Sequence, residues 1–263
     1  MESLRPLLGR TLVLVAHPDD EAVGCGALLQ RMKDPIVIFA TDGAPRANFF
    51  WHNHGSRQGY ARARATEAHQ ALAAAGVRHF HFLCESQPIV DQELYQQLDR
   101  AYEALAVTIE SEMPSAILTM AYEGGHPDHD ACALLATAAA KRYELPVWEM
   151  PLYHRRGDHM QRQIFVDEQE SFELDMTREE LVRKLNMFSA YNSQAEVLRE
   201  FLPYVEWFRP AKLYDFLQAP HLGELNYEAW QWPMKGADLC REFTKFLEAL
   251  PGGAKRREWG TAA

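Results

Sequence analysis

The chain has 263 residues, of which 47% are hydrophobic and 24% charged, and this composition excludes a disordered or fibrous protein. Its 37 acidic residues outnumber its 27 lysines and arginines, which gives a formal net charge of -10. Because the chain has no extended basic stretch, nucleic acid and anionic membranes are poor partners. The short basic group at residues 255–257 is predicted to be solvated.

The N-terminal apolar run at residues 12–16 is too short for a signal-peptide core or a transmembrane segment. The four cysteines are scattered and form no Cys-x-x-Cys pair, so we predict reduced thiols in a cytoplasmic protein.

Short apolar runs alternate with stretches of helical periodicity over the first 150 residues. The predicted strands are residues 11–16, 36–40, 79–83, 116–120 and 146–150. The predicted helices are residues 21–32, 58–75, 92–112 and 127–143. This alternation predicts an α/β fold with a Rossmann-like, mostly parallel sheet and helices on both faces. Ligands of such sheets bind beyond the carboxyl ends of the strands.

The pattern changes after residue 150. Residues 163–167 and 171–175 are predicted to form a hairpin or an added edge pair, and residues 178–201 a long helix. The last sixty residues are rich in aromatic residues and proline. Since no Gly/Ser-rich linker is present, we predict a single domain over residues 1–263. Residues 1–150 would carry the site, and residues 151–263 would pack on them as an added, aromatic-rich segment.

Two clusters of histidine and acidic residues follow predicted strands. The first is Ala16-His17-Pro18-Asp19-Asp20-Glu21, and the second is Tyr122-Glu123-Gly124-Gly125-His126-Pro127-Asp128-His129-Asp130. Helix capping accounts for one acid and for the proline in the first cluster, but it does not require a histidine. The two glycines of the second cluster allow a tight turn before the helix.

Together the clusters can supply imidazole and carboxylate ligands to a divalent ion. Three nitrogen and oxygen ligands with an open position are typical of catalytic zinc, and two histidines with one carboxylate also describe non-haem Fe(II) oxygenases. The ligand types alone do not choose between zinc and iron. An oxygenase would use His17, Asp19 and His129.

The two clusters resemble the signatures of the LmbE-like, or PIG-L, zinc-dependent N-deacetylases. Residues 16–21 match the family's Ala-His-Pro-Asp-Asp-Glu, and residues 126–129 match its His-Pro-Asp-His. The similarity continues through Thr41-Asp42-Gly43 and Arg64-x-x-Glu67, and covers about the first 150 residues.

The resemblance implies one Zn²⁺ per chain, bound by His17, Asp20 and His129. It also implies that Asp19 is the general base that activates the metal-bound water, and that His126 stabilises the oxyanion or protonates the leaving amine. The implied reaction is removal of the acetyl group from an N-acetylglucosamine-type conjugate with release of acetate.

Further positions are left with two interpretations each. Arg64 is either near the substrate or a surface residue paired with Glu67 or Glu103. Asp128 either orients an adjacent imidazole without binding the metal itself, or caps its helix.

The family often has an aspartate after the third strand that contacts sugar hydroxyls, and Glu85 or Asp91 could replace it here. His52 and His54 are expected to be exposed loop residues. The C-terminal tryptophans could stack on a sugar or on a second subunit, which leaves a homo-oligomer open. A sugar-binding protein of this fold without catalysis is the remaining alternative to an enzyme.

Overall fold

The computed structural model of the protein describes residues 3–250, so the basic group at residues 255–257 lies outside the described residues. A seven-stranded sheet has the order β3-β2-β1-β4-β5-β9-β8. Its first five strands are parallel, β9 is antiparallel to β5, and β8 is antiparallel to β9. The strands are β1 (Thr11–Val15), β2 (Ile36–Phe39), β3 (His79–Phe82), β4 (Ala116–Met120), β5 (Val147–Met150), β8 (Phe172–Glu173) and β9 (Trp207–Pro210).

Helices pack around this sheet, and the α/β fold with a mostly parallel sheet is confirmed. The helices are α1 (Asp20–Leu29), α2 (Arg57–Ala75), α3 (Leu98–Glu112), α4 (Pro127–Tyr143), α5 (Arg178–Ala190), α6 (Ala195–Leu198), α7 (Asn226–Ala229) and α8 (Gly236–Ala249). Local sequence explains several of their ends. Ser56 caps α2 through a hydrogen bond from the Gly59 N–H, and Gly76 ends it in the left-handed conformation.

The expectations for the second half need three corrections. Residues 163–167 form no strand, because the hairpin lies earlier, between β6 (Tyr153–Arg156) and β7 (His159–Arg162). Residues 171–175 contribute only the short edge strand β8, which pairs with β9. The long helix at 178–201 is broken after Ala190, and α6 follows a 3₁₀ turn at Asn192–Gln194.

The later segments pack on the first 150 residues. Helix α5 contacts α1 and α2, and α8 contacts α3 and α4. The strands β1, β2, β4 and most of β5 are buried along their length, as expected for a sheet covered on its faces. Within residues 3–250, no helix has the length and apolar character needed to cross a bilayer. The cysteines of this part of the chain are free thiols.

Candidate metal centre and active site

The two histidine-containing clusters lie side by side at the carboxyl ends of two adjacent inner strands of the sheet. They follow β1 and β4, which are paired in parallel with Leu12 opposite Ile117. The turn after β4 needs both its glycines. Gly124 has a φ of 70°, and a Cβ added to Gly125 would lie 1.9 Å from the Tyr153 carbonyl oxygen.

Three imidazoles meet where these loops converge. The ring centroid of His17 lies 4.3 Å from that of His126 and 5.3 Å from that of His129, and the last two are 5.1 Å apart. One ligand nitrogen from each of the three lies within 4.8 Å of the others. All three side chains are buried, so the cluster can enclose an ion that is largely removed from solvent.

Asp20 lies between two of these imidazoles. Its Oδ2 is 3.3 Å from His17 Nδ1, and its Oδ1 is 3.2 Å from His129 Nε2. A tetrahedral zinc ion with ligand bonds of about 2.0–2.1 Å holds its ligand atoms about 3.3 Å apart. Nδ1 of His129 is buried without a hydrogen bond, and its Nε2 has only the Asp20 contact, which is costly for a buried imidazole. His17, Asp20 and His129 are therefore ligand types suited to a divalent ion, and Asp20 contacts the two imidazoles through different oxygens.

Among the described residues, two groups of side chains place one ligand atom each within 4.8 Å of one another: the three imidazoles, and His17 with Asp91, His126 and Asp128. Either group would use His126 as a ligand. However, His126 already has partners for both ring nitrogens. Its Nδ1 accepts a hydrogen bond of 3.1 Å from the Asp128 N–H, and its Nε2 lies 3.4 Å from Asp91 Oδ1. These contacts favour a neutral His126 that carries its proton on Nε2.

Burial and neighbouring charges shift the pKa values of Asp20, His126 and His17 in different directions. Burial alone raises the pKa of Asp20, but His129 and His17 outweigh it and lower that pKa well below the usual value. Burial lowers the pKa of His126, and nearby His17 lowers it further. For His17, burial also lowers the pKa, yet Asp91 and Asp20 outweigh it and raise that pKa well above its usual value.

Asp19 has an unusual backbone conformation. Its φ of 124° is sparsely populated for a residue with a side chain, and its N–H donates to Glu21 Oε2 over 3.1 Å. The other oxygen of Glu21 accepts a 2.5 Å hydrogen bond from the Tyr191 hydroxyl. Burial raises the pKa of Asp19 to about 7 although Arg64 opposes that shift.

Arg64 is buried and lies directly behind Asp19, so its interpretation as a surface residue paired with Glu67 or Glu103 is wrong. One of its nitrogens lies 3.2 Å from Asp19 Oδ1. The guanidinium also donates to the backbone carbonyls of Pro18 and Gly43. Arg64 therefore joins the loops after β1 and β2.

Asp128 contacts two of the imidazoles. Besides its backbone bond to His126, its Oδ2 lies 3.2 Å from His17 Nε2. Its carboxylate also accepts hydrogen bonds from the backbone N–H groups of Gln92 and Leu94, over 2.6 and 3.0 Å. This places Asp128 behind His17, with Nδ1 of that histidine turned towards Asp20.

The structure distinguishes Asp91 from Glu85, which sequence reasoning left equivalent. Glu85 is exposed, whereas Asp91 is buried, with Oδ1 3.2 Å from His17 Nε2. Burial alone raises the pKa of Asp91, but His17 and His126 lower it well below its usual range. His52 and His54 are exposed, as expected, and do not line the cavity described next.

A cavity of about 560 Å³ opens over the cluster, with His17, Asp19, Asp20 and His126 in its lining. Sequence reasoning missed most of its walls. Tyr153 and Phe201 come from the second half of the chain and have no local pattern that marks them as site residues. Trp230 and Trp232 also line the cavity, and they are among the C-terminal tryptophans that could stack on a sugar or on a second subunit.

Two curated relatives are similar to this chain in sequence. A probable N-acetyl-alpha-D-glucosaminyl L-malate deacetylase of Bacillus cereus is 26% identical over 194 residues, which cover 72% of this chain and 85% of the relative. A 1D-myo-inositol 2-acetamido-2-deoxy-alpha-D-glucopyranoside deacetylase of Mycobacterium sp. strain KMS is 29% identical over 173 residues. That match covers 56% of this chain and 54% of the relative, about half of each protein.

Solved structures share the fold. A deacetylase triple mutant of the teicoplanin biosynthetic pathway has a TM-score of 0.59 and 19% identity, and the match covers 76% of this chain and 97% of that one. The N,N'-diacetylchitobiose deacetylase of Pyrococcus horikoshii has a TM-score of 0.55 and 16% identity, with 80% and 85% covered.

Residues 12–140 match the PIG-L family, described as GlcNAc-PI de-N-acetylase. The matched region contains both histidine-containing loops. It also contains the three clustered imidazoles and the acidic residues of the site, which are His17, His126, His129, Asp19, Asp20, Asp91 and Asp128. Residues 12–140 of the chain therefore match the PIG-L family, and the protein is an enzyme that removes acetyl groups by hydrolysis.

Proposed function

We propose that the protein is a zinc-dependent deacetylase that hydrolyses the N-acetyl group of an N-acetylglucosamine-type conjugate and releases acetate. The observation that carries this proposal is the convergence of the two loops, which brings Asp19, Asp20 and two imidazoles to one cavity, with the imidazole of His129 buried beside them. The named activities of the relatives support the sugar class.

His17, Asp20 and His129 would hold one ion per chain. Bound there, Zn²⁺ would polarise the amide carbonyl and lower the pKa of a water molecule to about 7. Asp128 orients His17 by accepting at its Nε2, a partner of the kind that fixes the ring orientation of metal-binding histidines.

Asp19 would take the proton of the attacking water. A general base works best when its pKa lies near the operating pH, and burial brings the pKa of Asp19 to that region. Arg64, 3.2 Å from Oδ1, holds one oxygen of this carboxylate in place, and Asp19 lines the cavity. Asp19 would then pass the proton on towards the leaving amine.

His126 would donate a hydrogen bond from Nε2 to the developing oxyanion. Its Nδ1 is held by the Asp128 N–H, so in the neutral ring the proton is on the nitrogen that faces the site. Donors placed in advance at an oxyanion are among the larger contributions to catalysis.

A comparison of Asp19→Asn with Asp20→Asn tests these roles. We expect Asp19→Asn to keep one zinc per chain and to lose activity by about 10²- to 10⁴-fold, because it removes only the base. Asp20→Asn should lose both zinc and activity. The measurements are acetate release from N-acetylglucosamine conjugates and elemental analysis of the purified protein.

Asp99→Asn is the matched control, since Asp99 is an exposed residue of α3. Full activity in Asp19→Asn would contradict the assignment of the base. Zinc-replete protein that releases no acetate from any conjugate would contradict the substrate class and favour the sugar-binding alternative.

The geometry does not favour the Fe(II) oxygenase alternative. An oxygenase site would use Asp19 together with His17 and His129. However, Asp20 lies between those two imidazoles, and Asp19 contacts Arg64. Oxygen uptake by iron-loaded protein would overturn this preference.

A further inference from the structure

The cavity over the cluster is larger than the reacting group requires. Its volume of about 560 Å³ is within the range of sites that enclose drug-sized ligands. His17, Asp19 and His126 form only part of its lining. The rest has room for a group attached to the amino sugar.

Four aromatic rings form a continuous wall of this cavity, here called the aromatic wall. Trp232 begins it, edge-on to His126 with centroids 5.0 Å apart, and Trp230 follows at 5.1 Å from Trp232. Tyr153 lies 6.3 Å from Trp230, and Phe201 ends the wall 6.1 Å from Tyr153. All four line the cavity, and the wall contacts two imidazoles of the cluster, because Tyr153 lies edge-on to His129 with centroids 5.3 Å apart.

Further apolar side chains of the lining are open to solvent. Phe49 is 63% exposed and its ring stacks on Phe50 with centroids 3.9 Å apart, while Val197 is 53% and Trp230 42% exposed. Apolar side chains gathered at the mouth of a cavity are a sign of a binding surface rather than of scattered exposure. Contact with an apolar ligand would remove them from water.

The charged residues of the lining do not provide an excess of positive charge. Arg64 is paired with Asp19 at 3.2 Å, and Arg162 is paired with Glu200 at 2.9 Å. The charged side chains of the lining are Asp19, Asp20, Asp91, Glu200, Arg64 and Arg162. A divalent cation would bring these groups close to neutrality, so the cavity has little attraction for an anionic aglycone.

We propose that the substrate carries a neutral aromatic group on its amino sugar and that this group binds against the aromatic wall. The inference rests on the proposed deacetylase function and narrows its substrate class. Planar rings gain from edge-on and offset contacts with such a wall, beyond the apolar area that they bury. The Bacillus cereus relative is named for a malate conjugate, whose aglycone is anionic, so a different preference is expected here.

Acetate release from four N-acetylglucosaminides tests the proposal. The aglycones are methyl, phenyl, 2-naphthyl and malyl groups, each on the same sugar. We expect kcat/KM to rise by about tenfold from methyl to phenyl and further to naphthyl, and to be lowest for malyl. Equal or higher kcat/KM for the methyl or malyl compound would overturn the proposal.

A binding measurement separates failure of this inference from failure of the proposed function. Quenching of tryptophan fluorescence by the four compounds is read on the metal-free protein, where no hydrolysis is needed. If no compound releases acetate but the aryl compounds bind more tightly than the methyl one, the reaction is wrong and the aryl site stands. If acetate is released without aryl preference in either assay, the aryl site is wrong.

Trp230→Ala locates the effect on the wall. We expect the ratio of phenyl to methyl kcat/KM to fall by about tenfold, because Trp230 is a partly exposed part of the wall. Phe49→Ala, which removes a more exposed side chain of the lining, provides a second variant if the first is unstable. Leu213→Ala is the control, since Leu213 is 85% exposed and does not line the cavity. An unchanged ratio in both test variants would refute the wall as the aryl site.

Discussion

Asp19 is held by its neighbours in an unfavourable backbone conformation. A φ of 124° costs of order 1–3 kcal/mol for a residue with a side chain, and it persists only where the surroundings fix it. Here Glu21 accepts the Asp19 N–H and Arg64 binds the carboxylate. The strain therefore lies at the residue that we assign as the base, with its supports on both sides.

Tyr191→Phe tests whether these supports matter. The change removes the hydroxyl that donates to Glu21 Oε1 over 2.5 Å, while the ring remains to fill its fully buried site. We expect kcat to fall by about tenfold with little change in KM, because the substitution misplaces Asp19 without touching the substrate. Steady-state kinetics over a range of substrate concentrations measures this split.

Ser189→Ala is the control, because Ser189 lies in the last turn of α5, two residues before Tyr191, and bonds only to the Leu185 carbonyl among the contacts described. Zinc content is measured for each variant, so that a loss of metal is not mistaken for misplacement of the base. An unaltered kcat in Tyr191→Phe would show that Glu21 holds Asp19 without help from the hydroxyl.

At the scale of elements, α1 depends on a residue far away in sequence. The helix is interrupted at Cys25, whose φ of -148° is not helical. The N–H groups of Ala27 and Leu28 donate to the carboxylate of Glu206, over 2.7 and 3.0 Å. Lys184 of α5 bonds the same carboxylate over 2.7 Å, and both side chains are fully removed from solvent.

Breaking this pair should be costly. Lys184→Met leaves the Glu206 carboxylate buried without its counter-charge, and we expect a loss of about 3–5 kcal/mol in the free energy of unfolding. Urea denaturation followed by circular dichroism measures it. The double variant Lys184→Met/Glu206→Gln should recover part of the loss, because no unpaired charge remains.

Arg142→Met is the comparison for an exposed ion pair. Arg142 lies 3.2 Å from Glu110 at the surface, and its loss should cost no more than about 1 kcal/mol. If the two single variants were equally stable, the buried pair would have no special role in holding α1.

The elements of the first half were predictable because their signals are local. Alternating apolar runs and helical periodicity predicted all five parallel strands, and the range of α4 is the one expected. The break after Ala190 was not predictable, because it depends on distant partners. Tyr191 turns inward to Glu21, and Ser193 binds Glu67 through its N–H and its hydroxyl.

At the scale of the whole molecule, the proposed ion connects loops that are more than 100 residues apart in sequence. Chelation of zinc should therefore lower Tm, by about 5–10 °C if the ion is present at about a hundred times its Kd. Differential scanning calorimetry with and without EDTA measures the shift. His129→Ala should show little or no EDTA effect, and a full shift in that variant would place the stabilising ion elsewhere.

The site was predictable from sequence to the extent that two short motifs carry it. Both clusters stand at the ends of adjacent strands, so sequence alone brought His17, Asp19, Asp20, His126 and His129 to one place. Asp91 was only one of two options, because its position depends on how the chain returns after β3. The aromatic wall comes from segments whose packing no local pattern predicts. The oligomeric state and the cytoplasmic location stay predictions.

The hydrogen bonds from α1 to Glu206 determine which parts of the chain a functional fragment must contain. The family match ends at residue 140, yet a fragment that stopped after β5 would lack Glu206, Lys184 and Tyr191. It would leave two N–H groups of α1 without their acceptor, expose the side of α1 that α5 covers, and leave Glu21 without its donor, directly beside the proposed metal ligand Asp20. The segment that identifies the family is thus not a transplantable catalytic unit. Any graft of this activity onto another scaffold must bring the later helices with it.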